Sequence, residues 1–187
     1  MTFHRDDQPV LISPFANERV REWPADRYRE LVDVILRSES HPVAIIGTRQ
    51  QRVRANAIVR GFASEKVINA CGSLAWDELL IQVDRAPYVV ANNSGIAHLA
   101  ASRGTWTLCI FAASHAMHEW MPRGPKVVSI CRTLSCSPCS VGASDYCPNE
   151  FACMADLEAA DIFWRFHSIR RSHKARLMPA RQGEVMT

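Results

Sequence analysis

Short apolar runs that alternate with helix-period patterns along most of the chain constrain the architecture more than any other feature. Val10–Ser13, Val43–Ile46, Lys66–Asn69, Tyr88–Ala91, Thr107–Phe111 and Val127–Ile130 read as extended segments. Runs this short suit strands rather than helices, and without a regular polar alternation they predict burial on both sheet faces. Helical patterns fill the intervals. Trp23-Pro24 opens one in which Tyr28, Leu31, Val32, Ile35 and Leu36 share a face. Gln51–Phe62 gives a second, and Ser73–Val83 a third, capped by Ser73 with Leu79, Leu80 and Val83 inward. Ile96–Ser102, ended by Gly104, and a closing stretch from Leu157 to Phe166 complete the series. Strand and helix in alternation predict an α/β fold, a single Rossmann-like, doubly wound, mainly parallel sheet. The expected domain spans residues 1–168, with a cysteine-rich loop at 131–153, and residues 169–187 form a basic, flexible tail.

Composition limits the class. With 187 residues, 48% hydrophobic and 22% charged, one sizeable core is expected. No stretch is apolar for long enough to span a membrane, and the first residues lack a secretory pattern, so a cytoplasmic location is expected. A net charge of +3 is too small for a dedicated nucleic-acid binder. The excess lies late, at Arg165, Arg170, Arg171, Lys174, Arg176 and Arg181 against Asp161 and Glu184. Two readings of it stay open: a solvated tail, or a weak peripheral attraction to the anionic inner membrane.

In such sheets ligands bind beyond the carboxyl ends of the strands. The segment YVVANNSGIAHLAASRG passes from a strand through polar residues and glycine straight into a helix. Ser94 and Gly95 can present backbone N–H groups at the positive end of that helix to an anion, and His98, one turn on, can donate to a phosphate oxygen. The competing reading makes Asn92, Asn93 and Ser94 simple caps and His98 a core residue. The chain has neither a glycine-rich dinucleotide fingerprint nor a Gly-Lys-Ser/Thr phosphate loop.

Cys136, Cys139, Cys147 and Cys153 form a second cluster. A Cys-x-x-Cys pair followed by two further cysteines has the spacing of a structural zinc or iron site, with free thiols or disulfides as the alternatives. Four protein ligands leave no open position for catalysis.

Three ordered blocks carry a family resemblance. SGIAHLAASRGTWTLCIF followed by EWMPRG is similar to a signature segment of glycosyltransferase family nine, the lipopolysaccharide heptosyltransferases. SPFANERVREWPADRYREL resembles the stretch that opens that family's second domain, where a basic residue, here Arg21, stands two places before Trp-Pro. NACGSLAWDELLIQVDRAPYVVANNSG resembles the block between them, and the similarity covers residues 9–167. The resemblance implies the C-terminal, nucleotide-sugar-binding half of a GT-B glycosyltransferase. It implies that Asn17 and Arg21 approach the donor diphosphate, that Ser94, Gly95 and His98 hold it, and that Asn93 faces the sugar. Gly47 and Gln50 would lie near the ribose or base. The implied donor is a nucleoside diphosphate sugar, ADP-heptose by family, and the acceptor a lipopolysaccharide or another glycan, free or lipid-linked.

No cofactor is required for catalysis by that resemblance, and CxPC patterns like this one occur in similar sequences. The chain departs from the pattern at Arg21, where many members have Lys, and at Asn93 and near Gln50, where many have acids. Because the family's base and acceptor surface lie in its first domain, the chain alone is expected to transfer little. That domain would come from a separate chain, or the exposed face would promote self-association. Asp77, Glu78, Asp84 and Glu119 are the nearest acids and read as surface charges. The alternatives are a non-catalytic sugar-nucleotide-binding module and a metal-stabilised interaction domain.

Overall fold

The computed structural model describes residues 8–139 and 147–177. Six parallel strands, β1 Val10–Ser13, β2 Val43–Ile45, β3 Val67–Asn69, β4 Val89–Asn92, β5 Thr107–Ile110 and β6 Val127–Ile130, form one sheet in the order β3-β2-β1-β4-β5-β6. The register pairs Leu11 with both Ala44 and Val89, and Val89 in turn with Thr107. This is a doubly wound sheet: the chain builds outward from β1 to β3, returns to lay β4 beside β1, and builds outward again.

Helices cover both faces, so every residue of β1, β4 and β5 is buried. Alternation along the strands divides the core. Val10, Ile12, Val43, Ile45, Val90, Leu108 and Ile110 face one way, towards helix α1 (Ala25–Ser38), helix α2 (Arg52–Val59) and helix α7 (Ala159–Leu177). On α1, Tyr28, Leu31, Val32 and Ile35 recur at the spacing that puts them on one stripe, and all four are buried. Leu11, Ala44, Ile46 and Val89 face the other way, against Val83 of helix α3 (Trp76–Arg85) and Ala100 of helix α4 (Gly95–Ser102).

Several elements differ from the sequence expectation. Helix α3 begins at Trp76 rather than at Ser73, because Glu78 reaches back to accept the Ala75 N–H at 2.8 Å and closes the first turn there. Two four-residue helices, α5 (Met117–Trp120) and α6 (Ala152–Ala155), are too short to leave a periodic signal. The closing helix runs on to Leu177 instead of ending at Phe166. Its extension is held to the sheet end: the Arg170 guanidinium lies 5.1 Å over the Tyr88 ring, and His173 packs edge-on to Trp106 at 5.2 Å. The expected tail therefore starts as helix, and residues 178–187 lie outside the described residues. No helix among the described residues is long and apolar enough to cross a membrane.

Candidate functional site

The strand order reverses between β1 and β4, so the loops that leave their carboxyl ends diverge and open a crevice. Buried Asn92, the last residue of β4, fixes that crevice. Its Oδ1 accepts the Trp23 N–H at 3.1 Å and the Tyr28 hydroxyl at 2.8 Å, while its Nδ2 donates to the Pro14 carbonyl at 2.6 Å. One side chain thus ties the loop after β1, which carries Asn17 and Arg21, to the turn that carries Asn93, Ser94 and Gly95. It is a girder rather than a helix cap.

Between the two loops lies a pocket of about 220 Å³ lined by Phe15, Ala16, Asn17, Arg21, Gln51, Asn93, Ser94, Gly95, His98 and Trp120. All six residues expected at the diphosphate and sugar line this one pocket. Ser94 is the N-cap residue of α4, with extended backbone, yet its side chain makes no capping bond and its Oγ is buried without a partner among the described residues. The Ala97 N–H turns back to the Ser94 carbonyl at 3.0 Å, while the Gly95 and Ile96 N–H groups have no intrahelical acceptor, so the pocket wall offers donors at a positive helix end. No protein atom comes within 4 Å of a Cβ built on Gly95, so the approach to those donors is open. His98 is exposed, not a core residue, and its ring makes no hydrogen bond among the described residues.

Arg21 comes from a single 3-10 turn, Arg19–Arg21. Its Nε lies 3.2 Å from Glu18 Oε2, a partly buried pair that is close enough to attract but not aligned as a hydrogen bond. An anion entering the pocket would compete with Glu18 for this guanidinium.

A second, mostly apolar pocket of about 400 Å³ lies on the β2 side, lined by Phe15, Ile46, Gly47, Leu74, Trp76, Leu79 and Ile96 together with Ser13, Thr48, Gln51, Ala70, Ser94 and Gly95. Phe15, Gln51, Ser94 and Gly95 belong to both pockets. Gly47 lines this second pocket, and a Cβ there would meet Gln51 Oε1 at 2.6 Å. Gln50 is exposed and lines neither pocket, because the 3-10 turn Arg49–Gln51 directs it to solvent. Its neighbour Gln51 is the lining residue, held by the Thr48 N–H, which donates to its Oε1 at 2.8 Å. Sequence reasoning missed Phe15, Gln51, Trp76 and Trp120. The only signal for the two tryptophans was a large aromatic at a helix end beside a strand exit.

Neither pocket is lined by a carboxylate. Asp84 pairs with Arg103, Glu78 closes the first turn of α3, and Glu119 is an exposed neighbour of His118. These acids do the surface work expected of them.

The four cysteines share one corner of the molecule. Burial raises the Cys153 thiol above its ordinary range; a backbone hydrogen bond from the Ala113 N–H opposes that rise, and Cys139, Cys147 and Cys136 reinforce it electrostatically. The Cys139 N–H donates to the Ala113 carbonyl at 3.4 Å, and Asn149 donates to Cys136 Sγ at 3.3 Å. Among the described residues no three of these ligand types are gathered tightly enough to hold a metal ion. Residues 140–146 of the expected cysteine loop lie outside the described residues.

A doubly wound, Rossmann-like parallel sheet with a crevice at its switch point defines the class. The sequence profile of glycosyltransferase family 9 (heptosyltransferase) matches residues 2–148, and the chain belongs to that family. Solved structures agree in fold. The E. coli ADP-heptose lipopolysaccharide heptosyltransferase II aligns with a TM-score of 0.71 at 16% identity, over 90% of this chain and 48% of that one. E. coli heptosyltransferase WaaC with ADP aligns at 0.68 and 15%, over 89% and 46%. The dodecameric iron-containing heptosyltransferase TibC of enterotoxigenic E. coli, in complex with ADP-D-β-D-heptose, aligns at 0.67 and 16%, over 92% and 47%. The chain therefore spans about half the length of the solved structures it matches, and the fold is that expected of one half of a GT-B transferase. No curated protein sequence matches it.

Proposed function

We propose that this chain is the donor-binding half of a family 9 glycosyltransferase and that it holds a nucleoside diphosphate sugar across the β1/β4 crevice. The observation that carries the reading is the convergence of Arg21, His98 and the open N-terminus of α4 on one pocket, beside an apolar pocket sized for a base. The diphosphate sits between Arg21 and α4, with Ser94 and Gly95 N–H groups and the His98 ring as donors. The base lies against Ile46, Leu74 and Trp76, the ribose near Gly47 and Gln51, and the sugar beside Asn93. ADP-heptose is the donor by family, supported by the relatives whose structures contain ADP or ADP-D-β-D-heptose. The acceptor is a lipopolysaccharide or another lipid-linked glycan hydroxyl, and a cytoplasmic enzyme serving it would work at the inner membrane.

Transfer needs a base to take the acceptor's proton as the sugar–diphosphate bond breaks, and neither pocket is lined by an acid that could do it. Base and acceptor surface come from another domain, from a partner chain or through self-association, a route consistent with the dodecameric relative. The chain alone binds donor and transfers little. A structural metal at the cysteine corner is a secondary reading, supported by the iron-containing relative and by the electrostatic interaction of Cys153 with the other three thiols; metal analysis of the purified chain and of Cys136→Ser decides it.

Calorimetric titration with ADP, UDP and GDP tests the main reading. Saturable binding of one nucleotide, weakened at least tenfold by Arg21→Ala and by His98→Ala, is expected, since each removes a charge-assisted or donor contact worth about 1.5–3 kcal/mol. Absence of binding to all three would leave only a non-catalytic interaction domain.

A further inference from the structure

The two pockets follow the strand order. The apolar one draws on the loops after β2 and β1, at Gly47 and Phe15, and the polar one on the loops after β1 and β4, at Arg21 and Ser94. One step further along the sheet, beyond β5, helix α5 carries Trp120, which lines the far side of the polar pocket. A nucleotide laid with its base on the β2 side and its diphosphate at α4 therefore extends whatever it carries towards Trp120.

Trp120 is an unusual residue to find there. The residue is 56% exposed, although indole is among the largest apolar groups a fold can bury. The exposure is organised. Short helix α5 is closed by Trp120 N–H to the Ala116 carbonyl at 3.3 Å and Met121 N–H to the Met117 carbonyl at 2.9 Å. The His115 ring packs edge-on to the indole at 6.1 Å, and His115 Nδ1 lies 3.0 Å from the hydroxyl of buried Ser114 in the loop after β5. A hydrogen-bonded imidazole thus braces an aromatic surface that the protein's own core does not use. Buried Asn93 lines the same pocket and supplies an amide.

We infer that Trp120 is the platform on which the sugar ring of the donor stacks, and that it gives the site its preference for a sugar nucleotide over the bare nucleotide. A pyranose has one face of C–H bonds, apolar and slightly positive, and an edge of hydroxyls. The indole face carries the negative lobe of the ring quadrupole and matches the first, while the Asn93 amide serves the second. Ser114 and His115 are positioning residues that act through Trp120. The inference rests on the donor-site reading above.

The test is titration of the full chain with three matched pairs: ADP and ADP-heptose, UDP and UDP-glucose, GDP and GDP-mannose. Trp120→Ala should weaken the sugar nucleotide about fivefold to tenfold, the order of one aromatic stacking contact, and leave its bare nucleotide within about twofold. Trp120→Phe should restore most of the difference, and His115→Ala should lose part of it. Equal weakening of both members of the pair, or of neither, overturns the assignment of Trp120 while leaving the donor site intact. Failure of wild-type chain to bind any of the six compounds overturns the donor site itself, and the platform with it.

Discussion

Truncating Asn92 to alanine removes the one side chain that joins the two loops of the crevice. Asn92 is fully buried, and the substitution strands three polar groups in the interior: the Trp23 N–H, the Tyr28 hydroxyl and the Pro14 carbonyl. A buried group left without its partner costs roughly 1–3 kcal/mol. Three such groups set an upper range that water entering the small void reduces, so the loss in unfolding free energy should be about 3–5 kcal/mol, a large part of a typical domain's stability. Urea denaturation followed by tryptophan fluorescence and circular dichroism measures it. Asn92→Asp separates hydrogen bonding from volume. The acid keeps the acceptor for Trp23 and Tyr28 but can donate to Pro14 only when protonated, so its folded-state pKa is raised above the ordinary value of about 3.9. The sign follows from linkage: the aspartate's contribution is present in acid and is lost as pH rises through the raised pKa, making this variant's deficit against wild type smaller at low pH than at neutral pH. A loss below about 1 kcal/mol for Asn92→Ala would refute the girder argument, since that is the cost of an ordinary surface substitution or a single exchanged hydrogen bond.

Other consequences follow from burial. Desolvation pushes the Cys71 thiol up to about 11 and the Cys109 thiol up to about 12, so neither should react with iodoacetamide at pH 8 in the folded chain, whereas exposed Cys136 should label first by mass spectrometry; early labelling of Cys109 would contradict the packing of β5. Burial also lowers the His167 pKa below 6.5, against the attraction of Glu39 at 3.5 Å and with the repulsion of Arg170 and Arg171. A depressed folded pKa means that the unfolded chain takes the proton first, so stability should decline as pH falls through and below 6.5, and His167→Gln should flatten that decline; an unchanged pH slope would contradict it.

The strands were legible because each is a short apolar run whose two faces are both covered, and α1 because its buried stripe repeats with the helical period. Their order in the sheet was not, since nothing local states that β4 returns beside β1. Ser94, Gly95 and His98 were readable as a group because a strand–turn–helix passage is a local event. Gln51 and Trp120 were not: a single 3-10 turn decides which of two adjacent glutamines faces the pocket, and a four-residue helix decides where an indole points. The role of Asn92 was hidden for a different reason. Its three partners lie 64 to 78 residues away, and a cap and a girder look alike in sequence. The closing helix outran its apolar pattern because ring contacts of His173 and Arg170, rather than aliphatic side chains, hold its later turns.

The most direct test of the donor-site reading is a crystal structure of the chain grown with the nucleoside diphosphate that binds best. The account predicts a diphosphate between the Arg21 guanidinium and the first N–H groups of α4, with the base against Ile46 and Trp76. A nucleotide bound elsewhere, or a diphosphate that leaves Arg21 paired with Glu18 and α4 untouched, would contradict it.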